Sequence, residues 1–410
     1  MSYRIASAQS RDFSLIALQR HEKSLSEAQQ RLISGKRVDK ASDDPAAAAR
    51  AERALVDQTR HEGLLRSMEA SRTSMSLAES TLGDAMEVLQ SARETVVSAG
   101  NGAYNASDRA SLADSLKHAR GQLLKLANTT DTGDHYIFGG QGAERVPFAD
   151  AAGGVTFQGV AEEAQASLDE VLPLSVDGES TWLGARSGNG VFETSASTVA
   201  GSTAWISAGS VGDPSALALG TGESYQMQFT SADTYTISLV KADGSSQPFP
   251  DASSATRAYT SGQAITVLPG MNFSITGTPK AGDTFSVEPS TADLSVFDAL
   301  DRMISVLSDA SANSGALQQT VNSGLRDLDQ VMSNLQSVRS RAGNTLNRLD
   351  GFEARTDSRV LADKEIRSNA EDLDLAQAIS DVSTKDTVYQ AALKSYAMIG
   401  KMSLFDYIGV

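Results

Sequence analysis

The chain of 410 residues has no cysteine, only 4 histidines and only 6% aromatic residues. The lack of cysteine excludes disulfides, thiol catalysis and cysteine-ligated zinc. The histidines, His21, His61, His118 and His135, are far apart in sequence, and the segment after His61 lacks the second histidine of a zinc-protease helix. So few rings favour helix seams and small sheets over a deep ligand pocket. We therefore predict no catalytic residue, no metal site and no cofactor, and we expect that the protein is not an enzyme.

Long apolar runs are also missing. No segment approaches the length of a membrane span, and the first residues have neither a signal-peptide core nor a small-residue cleavage site. We expect no membrane insertion and, if the protein is secreted, an unconventional export route. The formal charge of -16 argues against binding to nucleic acid or to an anionic membrane surface. Because 19 acidic and 5 basic residues lie between Asp131 and Asp293, the middle of the chain carries nearly all the excess, as a solvated acidic shell would.

What the front of the chain does contain is a heptad pattern. Large apolar residues recur every seven positions and alanines fall three positions after four of them, at Met68, Met75, Leu82, Leu89 and Val96 and at Ala78, Ala85, Ala92 and Ala99. This predicts a long helix that begins after Ser42-Asp43-Asp44-Pro45 and ends at Gly100-Asn101-Gly102. A second helix, capped by Ser107 or Asp108, follows with its own apolar stripe, Leu112, Leu116, Ala119, Leu123 and Leu126.

The middle of the chain alternates instead with a period of two. Apolar and polar residues alternate around Tyr225, Met227 and Phe229, around Tyr235, Ile237 and Leu239, around Met271, Phe273 and Ile275, and at Phe285 and Val287. Turn residues such as Asp243-Gly244 and Pro269-Gly270 separate these runs. The pattern predicts a small β-rich domain, in which the polar stretch 184–220 does not by itself predict strands.

The back of the chain is helical again, with apolar residues at Phe297, Leu300, Ile304 and Leu307 and then a longer run from Val321 to Phe352. We therefore predict an α+β fold: a long antiparallel helical, coiled-coil bundle made from both chain ends, with an inserted β-rich domain. Residues 1–40 and 371–410 would form terminal coiled-coil helices that are disordered before assembly. Residues 41–150 and 290–370 would form a helical bundle domain, and residues 151–289 an exposed β-rich insert.

The two chain ends carry compatible but interrupted stripes. One end repeats Leu18, Leu25 and Leu32, and the other has large residues at Leu375, Ile379, Val382, Tyr389, Leu393 and Tyr396. The stripes are interrupted at His21, Asp386 and Gly400, where a stable coiled coil would place apolar groups. Since an isolated helix is marginal in water, each end needs a partner to cover its apolar face. Periodicity alone leaves open whether that partner is the same chain, in a monomeric bundle, or a neighbouring subunit.

A signature near the N-terminus resembles that of the flagellin superfamily. It consists of Ala28-Gln29-Gln30-Arg31-Leu32-Ile33-Ser34-Gly35-Lys36-Arg37 followed by Ser42-Asp43-Asp44-Pro45-Ala46, and we single out Ser34, Gly35, Lys36, Asp43, Asp44 and Pro45 as its candidate signature residues. In that superfamily helical termini pack in the core of the flagellar axial structure, while a variable domain faces outward. The resemblance implies that the apolar residues of both ends, including Leu404 and Phe405, are self-assembly residues.

Within the superfamily the chain is similar to the hook-filament junction proteins of the hook-associated protein three type. The resemblance is carried by Asp108-Arg109-Ala110-Ser111-Leu112, by His135-Tyr136-Ile137-Phe138-Gly139-Gly140, by Leu373-Asp374-Leu375-Ala376-Gln377-Ala378-Ile379 and by the ending Leu404-Phe405-Asp406-Tyr407-Ile408. It covers about the first 150 and last 120 residues. It implies export in an unfolded state, an export chaperone on the C-terminal helix, a ring of copies between the first hook-filament junction protein and flagellin, and an extracellular location at the hook-filament junction.

Two other functions stay open at this stage. The first is a filament flagellin, since flagellins share the N-terminal signature, although they usually end on a leucine-rich tail without Phe405-Asp406-Tyr407. The second is a ligand-binding or enzymatic role for the displayed β domain. Acid pairs such as Glu162-Glu163 could bind a cation weakly, but a solvated surface explains them better.

Overall fold

The computed structural model describes residues 2–142, 144–165, 172–217, 220, 222–250 and 256–408, with the backbone alone at residues 2–11 and 399–408. Its α-helices are α1 (Ser2–Ser34), α2 (Pro45–Ala99), α3 (Ala106–Ala127), α4 (Val296–Ser308), α5 (Ser314–Glu371) and α6 (Leu375–Ile408). Over these residues, none of the helices combines the length and hydropathy that a membrane span requires.

The chain forms two compact units. One comprises Met1–Arg66 and Gly351–Val410, and the other comprises Ser67–Asp350. Because α2 and α5 each run through a unit boundary, each unit contains one part of both long helices. The predicted α+β class, with helices from both chain ends and a β-rich region between them, is confirmed.

In the unit Ser67–Asp350 the heptad seam of α2 is the core. Its large members are at most 3% exposed and its alanines at most 5%, so the periodicity predicted the buried face. α5 runs antiparallel to α2, since their cross-helix ion pairs descend along one helix as they rise along the other: Arg72–Asp350 at 2.8 Å, Arg339–Glu79 at 2.7 Å and Arg93–Asp329 at 2.8 Å. The small alanine track lets the neighbouring helices pack closely.

The predicted start of α3 was wrong by a few residues. Asn105, not Ser107 or Asp108, is the N-cap, and its side chain accepts hydrogen bonds from the backbone N–H groups of Ser107 and Asp108 at 2.8 and 3.1 Å. The Asp108 carboxylate in turn accepts from the N–H of Asn105 at 3.1 Å, which completes a capping box. Several neighbouring polar residues could cap this helix, and the capping-box pairing decides between them.

An aromatic cluster fills the end of this core. Trp182, in a short π-helical turn (Glu179–Leu183), is 1% exposed and packs edge-on against Phe138 with ring centroids 5.4 Å apart. It stacks on Phe297 of α4 at 6.4 Å and meets Phe148 at 6.5 Å. The cluster therefore joins α4, the π-helical turn and the segment that follows α3.

The strands lie between Phe148 and Pro289. They are β1 (Phe148–Ala151), β2 (Gly154–Phe157), β3 (Phe192–Ser197), β4 (Trp205–Ile206), β5 (Ser210–Val211), β6 (Ser224–Phe229), β7 (Thr234–Val240), β8 (Ser246–Pro248), β9 (Arg257–Ala258), β10 (Ala264–Ile265), β11 (Met271–Thr276) and β12 (Thr284–Pro289). β6, β7, β11 and β12 contain the runs whose alternation predicted strands, which confirms those predictions. The stretch 184–220 nevertheless holds β3, β4 and β5.

The largest sheet is antiparallel, with the order β3-β12-β6-β7-β8 and with β9 beside β7. In it Phe285 stands opposite Met227 and Tyr225 opposite Leu239, so the apolar positions of successive strands fall on one face. β11 pairs with β10, β4 and β5, and its buried Met271, Phe273 and Ile275 join the same hydrophobic core.

Polar side chains of α5 and of Asn313, the residue directly before it, hold the strand region to this helix. Asn313 donates to the carbonyl of Ser202 at 2.9 Å, and Gln319 accepts from the N–H of Ile206 at 2.8 Å. Farther along, the guanidinium of Arg326 donates to the carbonyl of Thr194 at 3.0 Å. These bonds satisfy backbone groups that would otherwise be buried without partners.

Candidate assembly site: the terminal helices and their junction

The terminal helices α1 and α6 pack against each other. On α1 the contact face is the predicted stripe, with Leu25 buried and Leu18 and Leu32 half-buried, and Ala28 is buried beside them. On α6 the half-buried large residues of the prediction are Val382 and Tyr389, and the alanines Ala378 and Ala392 line the same face. The intramolecular pair thus buries only part of the apolar surface that the two ends carry.

The other predicted assembly residues of α6 point to solvent. Leu375 and Ile379 are 56% and 58% exposed, and Leu393 and Tyr396 are 40% and 37% exposed. The interruptions lie in or beside the seam, since His21 and Asp386 are both half-buried. The side chains of Leu404 and Phe405, and the burial of Gly400, lie outside what the structure describes.

Sequence reasoning missed further exposed apolar residues on these helices. Phe13 is 70% exposed, Ile33 87% and Met398 66%, and Leu15, Ile16 and Val388 are also open to solvent. None of them falls on the heptad tracks. They could have been found by searching each terminal helix for large apolar residues outside the heptad positions. Each fully buried side chain of this kind contributes on the order of 1.5 to 3 kcal/mol, so a partner that covered several would bind firmly.

The signature residues form the turn from α1 into α2. Gly35 has φ +68°, a left-handed conformation that glycine adopts without strain, and its carbonyl accepts from the N–H of Leu373 at 2.9 Å. The Ser34 hydroxyl accepts from the N–H of Lys36 at 3.3 Å. The turn thereby contacts the short break between α5 and α6, where Leu373 lies.

The turn and this break are held together by backbone bonds and one ion pair, a group of contacts that we term the junction clamp. The carbonyl of Glu371 accepts from the N–H groups of Arg37 and Val38 at 2.7 and 3.3 Å, and Lys36 pairs with Asp372 in an antiparallel bridge. The Lys36 ammonium lies 3.1 Å from the Glu371 carboxylate. Arg37, Glu371 and Leu373 were absent from our candidate sites, because their partners are more than 330 residues away in sequence.

Two aspartates cap the helices that leave the junction clamp. Asp44 accepts from the N–H groups of Ala46 and Ala47 at 3.2 and 3.0 Å, with Pro45 in the first turn of α2. Asp374 accepts from Ala376 and Gln377 at 3.0 and 3.1 Å at the start of α6. Asp43 accepts instead from the N–H groups of Asp39 and Lys40, which ties the connecting loop.

These hydrogen bonds lower the pKa values of Asp44 and Asp43. The hydrogen bond from the Ala47 N–H holds the pKa of Asp44 below its usual 3.8, helped by Arg37, and the hydrogen bond from Lys40 holds the pKa of Asp43 below the same value. A lowered folded-state pKa means that the contribution to stability is present above the unfolded pKa and is lost as the pH falls through the folded pKa.

We predict that Asp44 stabilises the first unit only while it is ionised. At neutral pH the parent should melt at a higher temperature than Asp44→Asn, which keeps a capping oxygen but does not titrate. Below about pH 3.8 the difference should shrink and vanish, because the parent carboxylate becomes protonated. Thermal unfolding followed by circular dichroism from pH 7 to pH 2 tests this. A difference that is independent of pH would show that charge plays no part in the cap.

A surface groove of about 790 Å³ runs beside the junction clamp. Small residues of the α2 start, Ala48, Ala49 and Ala51, line it together with Leu55, and Lys36 and Arg367 stand among its charged lining residues. The described residues contain no group of three or more histidine, aspartate or glutamate side chains placed to hold a metal ion.

Comparison with known proteins agrees with these features. The family model for the bacterial flagellin N-terminal helical region matches residues 13–143. Flagellar hook-associated protein 3 of Escherichia coli is 25% identical to this chain over 92% of its length and 90% of the relative's. The crystal structure of FlgL from Xanthomonas campestris has a TM-score of 0.66 at 25% identity, covering 78% of this chain and 99% of that one.

The flagellar junction protein FlgL from Legionella pneumophila is 27% identical, with a TM-score of 0.62 over 72% of this chain and 98% of its own. The similarity to hook-associated proteins extends through the insert as well as the helical ends. The chain is therefore similar to flagellar hook-associated protein 3 over nearly its whole length, and its N-terminal helical part matches the flagellin family model.

Proposed function

We propose that this chain is a structural subunit of the bacterial flagellum that stands at the junction of hook and filament. The observation that carries the proposal is the similarity over nearly the whole chain to flagellar hook-associated protein 3, a structural component and not an enzyme. A filament flagellin is the weaker alternative, because the full-length similarity is to hook-associated proteins.

Deleting the gene tests this function. Cells without the protein should build hooks that carry no filaments, and their filament protein should be lost to the medium. A deletion strain that still assembled full filaments on its hooks would contradict the proposal. Purified protein that polymerised alone into long filaments would favour the flagellin alternative.

The same similarity supports a proposal about the binding partners of this chain. We infer that copies of this chain form a ring, that the ring binds the first hook-filament junction protein on one side and flagellin on the other, and that an export chaperone holds the C-terminal helix before secretion. The open apolar residues of α6 support a partner on that helix, since they are covered by nothing in the described residues. Export to the cell exterior is part of this proposal.

We predict that the exposed stripe Leu375, Ile379 and Leu393 acts in assembly and not in folding of the monomer. Replacing all three by serine should change the free energy of unfolding of the purified chain by less than about 0.5 kcal/mol per residue, because exposed positions contribute little. The same variant should fail to enter flagella, as measured by immunoblotting of isolated hook-filament structures.

Val388→Ser is the matched control for the stripe. Val388 is a 41% exposed apolar residue on the same helix, but it lies off the stripe. The Val388→Ser variant should be incorporated into flagella as well as the parent protein. Equal loss of incorporation in both variants would remove the specific role of the stripe.

A displayed binding or enzymatic domain is the remaining alternative for the insert, and testing the full-length protein for glycan, metal or peptide binding would address it.

A further inference from the structure

The outer face of α2 between Glu79 and Glu94 is acidic. Asp84, Glu87 and Glu94 are exposed there, and they line a groove of about 660 Å³ that also contains the half-buried Met86 and Met332. Glu79 is bound by Arg339 at 2.7 Å, whereas Asp84 and Glu87 take part in no ion pair with any described residue. This acidic groove therefore presents uncompensated negative charge with an apolar floor.

A basic segment of α5 begins beside the acidic groove. Residues 338–348 contain Arg339, Arg341 and Arg348 and no acidic residue. Arg341 and Arg348 are both exposed, and Arg341 has no ion-pair partner in the described part of the chain. We term these two side chains the basic pair.

The acidic groove and the basic pair face different ways. Arg339 lies over Gly83 of α2 and lines the acidic groove, and Arg341 follows it by two residues, roughly 200° around the helix. Asn334 lies seven residues before Arg341, on the same flank of α5, and it donates at 2.9 Å to the carbonyls of Ser180 and Thr181 in the π-helical turn. The basic pair continues the flank of Asn334.

Complementary surfaces that face different ways on one subunit produce a heterologous contact, in which each copy binds the next. Such a contact closes into a ring when the rotation between neighbours allows it. Opposite charges add orientation and selectivity to the contact more than affinity. A small exposed ion pair is weak alone, but a ring repeats it at every interface.

We propose that the acidic groove of one copy binds Arg341 and Arg348 of the neighbouring copy. The inference rests on the proposed function, because a ring subunit is the arrangement that brings both surfaces to copies of itself. It adds a lateral contact in the unit Ser67–Asp350 to the assembly through the terminal helices.

Charge reversal and exchange test the contact. In a strain that lacks the chromosomal copy, Asp84→Arg combined with Glu87→Arg should lower incorporation into hook-filament structures at least about tenfold, and Arg341→Glu combined with Arg348→Glu should do the same, because like charges then meet at every interface. All four changes in one chain should restore incorporation to within about threefold of the parent. Lys117→Glu, a reversal at an exposed residue of α3, should have no effect.

Disulfide trapping tests the contact between copies independently, because the chain has no cysteine of its own. Glu87→Cys and Arg341→Cys in the same chain should give a ladder of linked multimers after mild oxidation of isolated flagella. Glu87→Cys together with Lys117→Cys should give none.

The outcomes separate this inference from the function itself. A parent gene that fails to restore filaments in the deletion strain would remove the proposed function. A parent that restores them, with reversed variants that incorporate normally, would overturn only the contact between copies. Reversals that each reduce incorporation but do not rescue one another, with no linked multimers, would also overturn it, since the two surfaces would then bind other flagellar components.

Discussion

Replacing Trp182 by alanine is expected to lower the free energy of unfolding by about 3 to 5 kcal/mol, the usual cost of removing a large aromatic side chain from a core. Trp182 is 1% exposed and contacts three phenylalanine rings from α4 and from the segment that follows α3, so the cavity would open where these segments meet the π-helical turn. Urea unfolding followed by far-ultraviolet circular dichroism measures the change. Trp205, the second tryptophan of the chain, remains as a fluorescent reporter of the strand region.

Trp182→Phe is the control for this experiment. The indole N–H of Trp182 is buried without a hydrogen-bond partner in the described residues, so phenylalanine keeps a ring and removes an unpaired polar group. It should cost less than about 2 kcal/mol, the lower part of the range for core changes. An alanine variant as stable as the phenylalanine variant would show that the cluster does not hold these segments together.

Replacing Arg326 by methionine is expected to lower the free energy of unfolding by about 3 to 5 kcal/mol, because the buried Asp327 then keeps only Arg302, at 3.1 Å, as a charged partner. The side chains of Arg326 and Asp327 are 6% and 5% exposed, with 2.9 Å between their charged atoms. Arg326 also donates to the carbonyl of Thr194 and to the carboxylate of Glu193 at 3.0 and 3.2 Å. Its loss therefore removes these bonds between β3 and α5, and it leaves the buried Asp327 carboxylate with the exposed Arg302 as its remaining cationic partner.

A double substitution and the pH dependence of stability test whether the buried Asp327 carboxylate causes this loss. Replacing Arg326 and Asp327 together by methionine should recover part of the loss, since the most buried carboxylate is removed and the groups that lose a partner, Arg302 and Glu193, are 56% and 29% exposed. Burial already raises the pKa of Asp327 above its usual 3.8, against the opposing effect of Arg326. In Arg326→Met the carboxyl binds its proton more tightly in the folded state, so the deficit should grow as the pH rises through the raised pKa and shrink towards pH 4. Urea titrations between pH 4 and pH 8 measure this.

Local repetition explains which parts of the fold could be predicted. The seam from Met68 to Val96 was predictable because a heptad places the same face inward over many turns, and the structure buries that face. β6 and β7 were predictable for the same reason at a period of two. β3 was not, because its buried position Thr194 is polar and is satisfied by the carbonyl of Ser207 and by Arg326, both distant in sequence.

The candidate site was harder to predict than the fold. Leu18, Leu25 and Leu32 lie towards α6, but Leu375 and Ile379 do not lie in the seam, where small residues such as Ala378 take their place. A helix with more than one apolar face does not reveal from periodicity which face meets its partner. The junction clamp could not be predicted for another reason, because Lys36 and Glu371 are 335 residues apart in sequence.

The junction clamp is built mainly from peptide groups, with Gly35, Arg37, Val38, Glu371 and Leu373 supplying main-chain donors and acceptors. Main-chain bonds are indifferent to most side-chain changes, and they set the start of α6 relative to the end of α1 at one place. The alignment of the two terminal helices is thus independent of how many residues lie between Val38 and Glu371. The strands between these two positions can therefore be lengthened, shortened or replaced while α1 and α6 keep the same alignment.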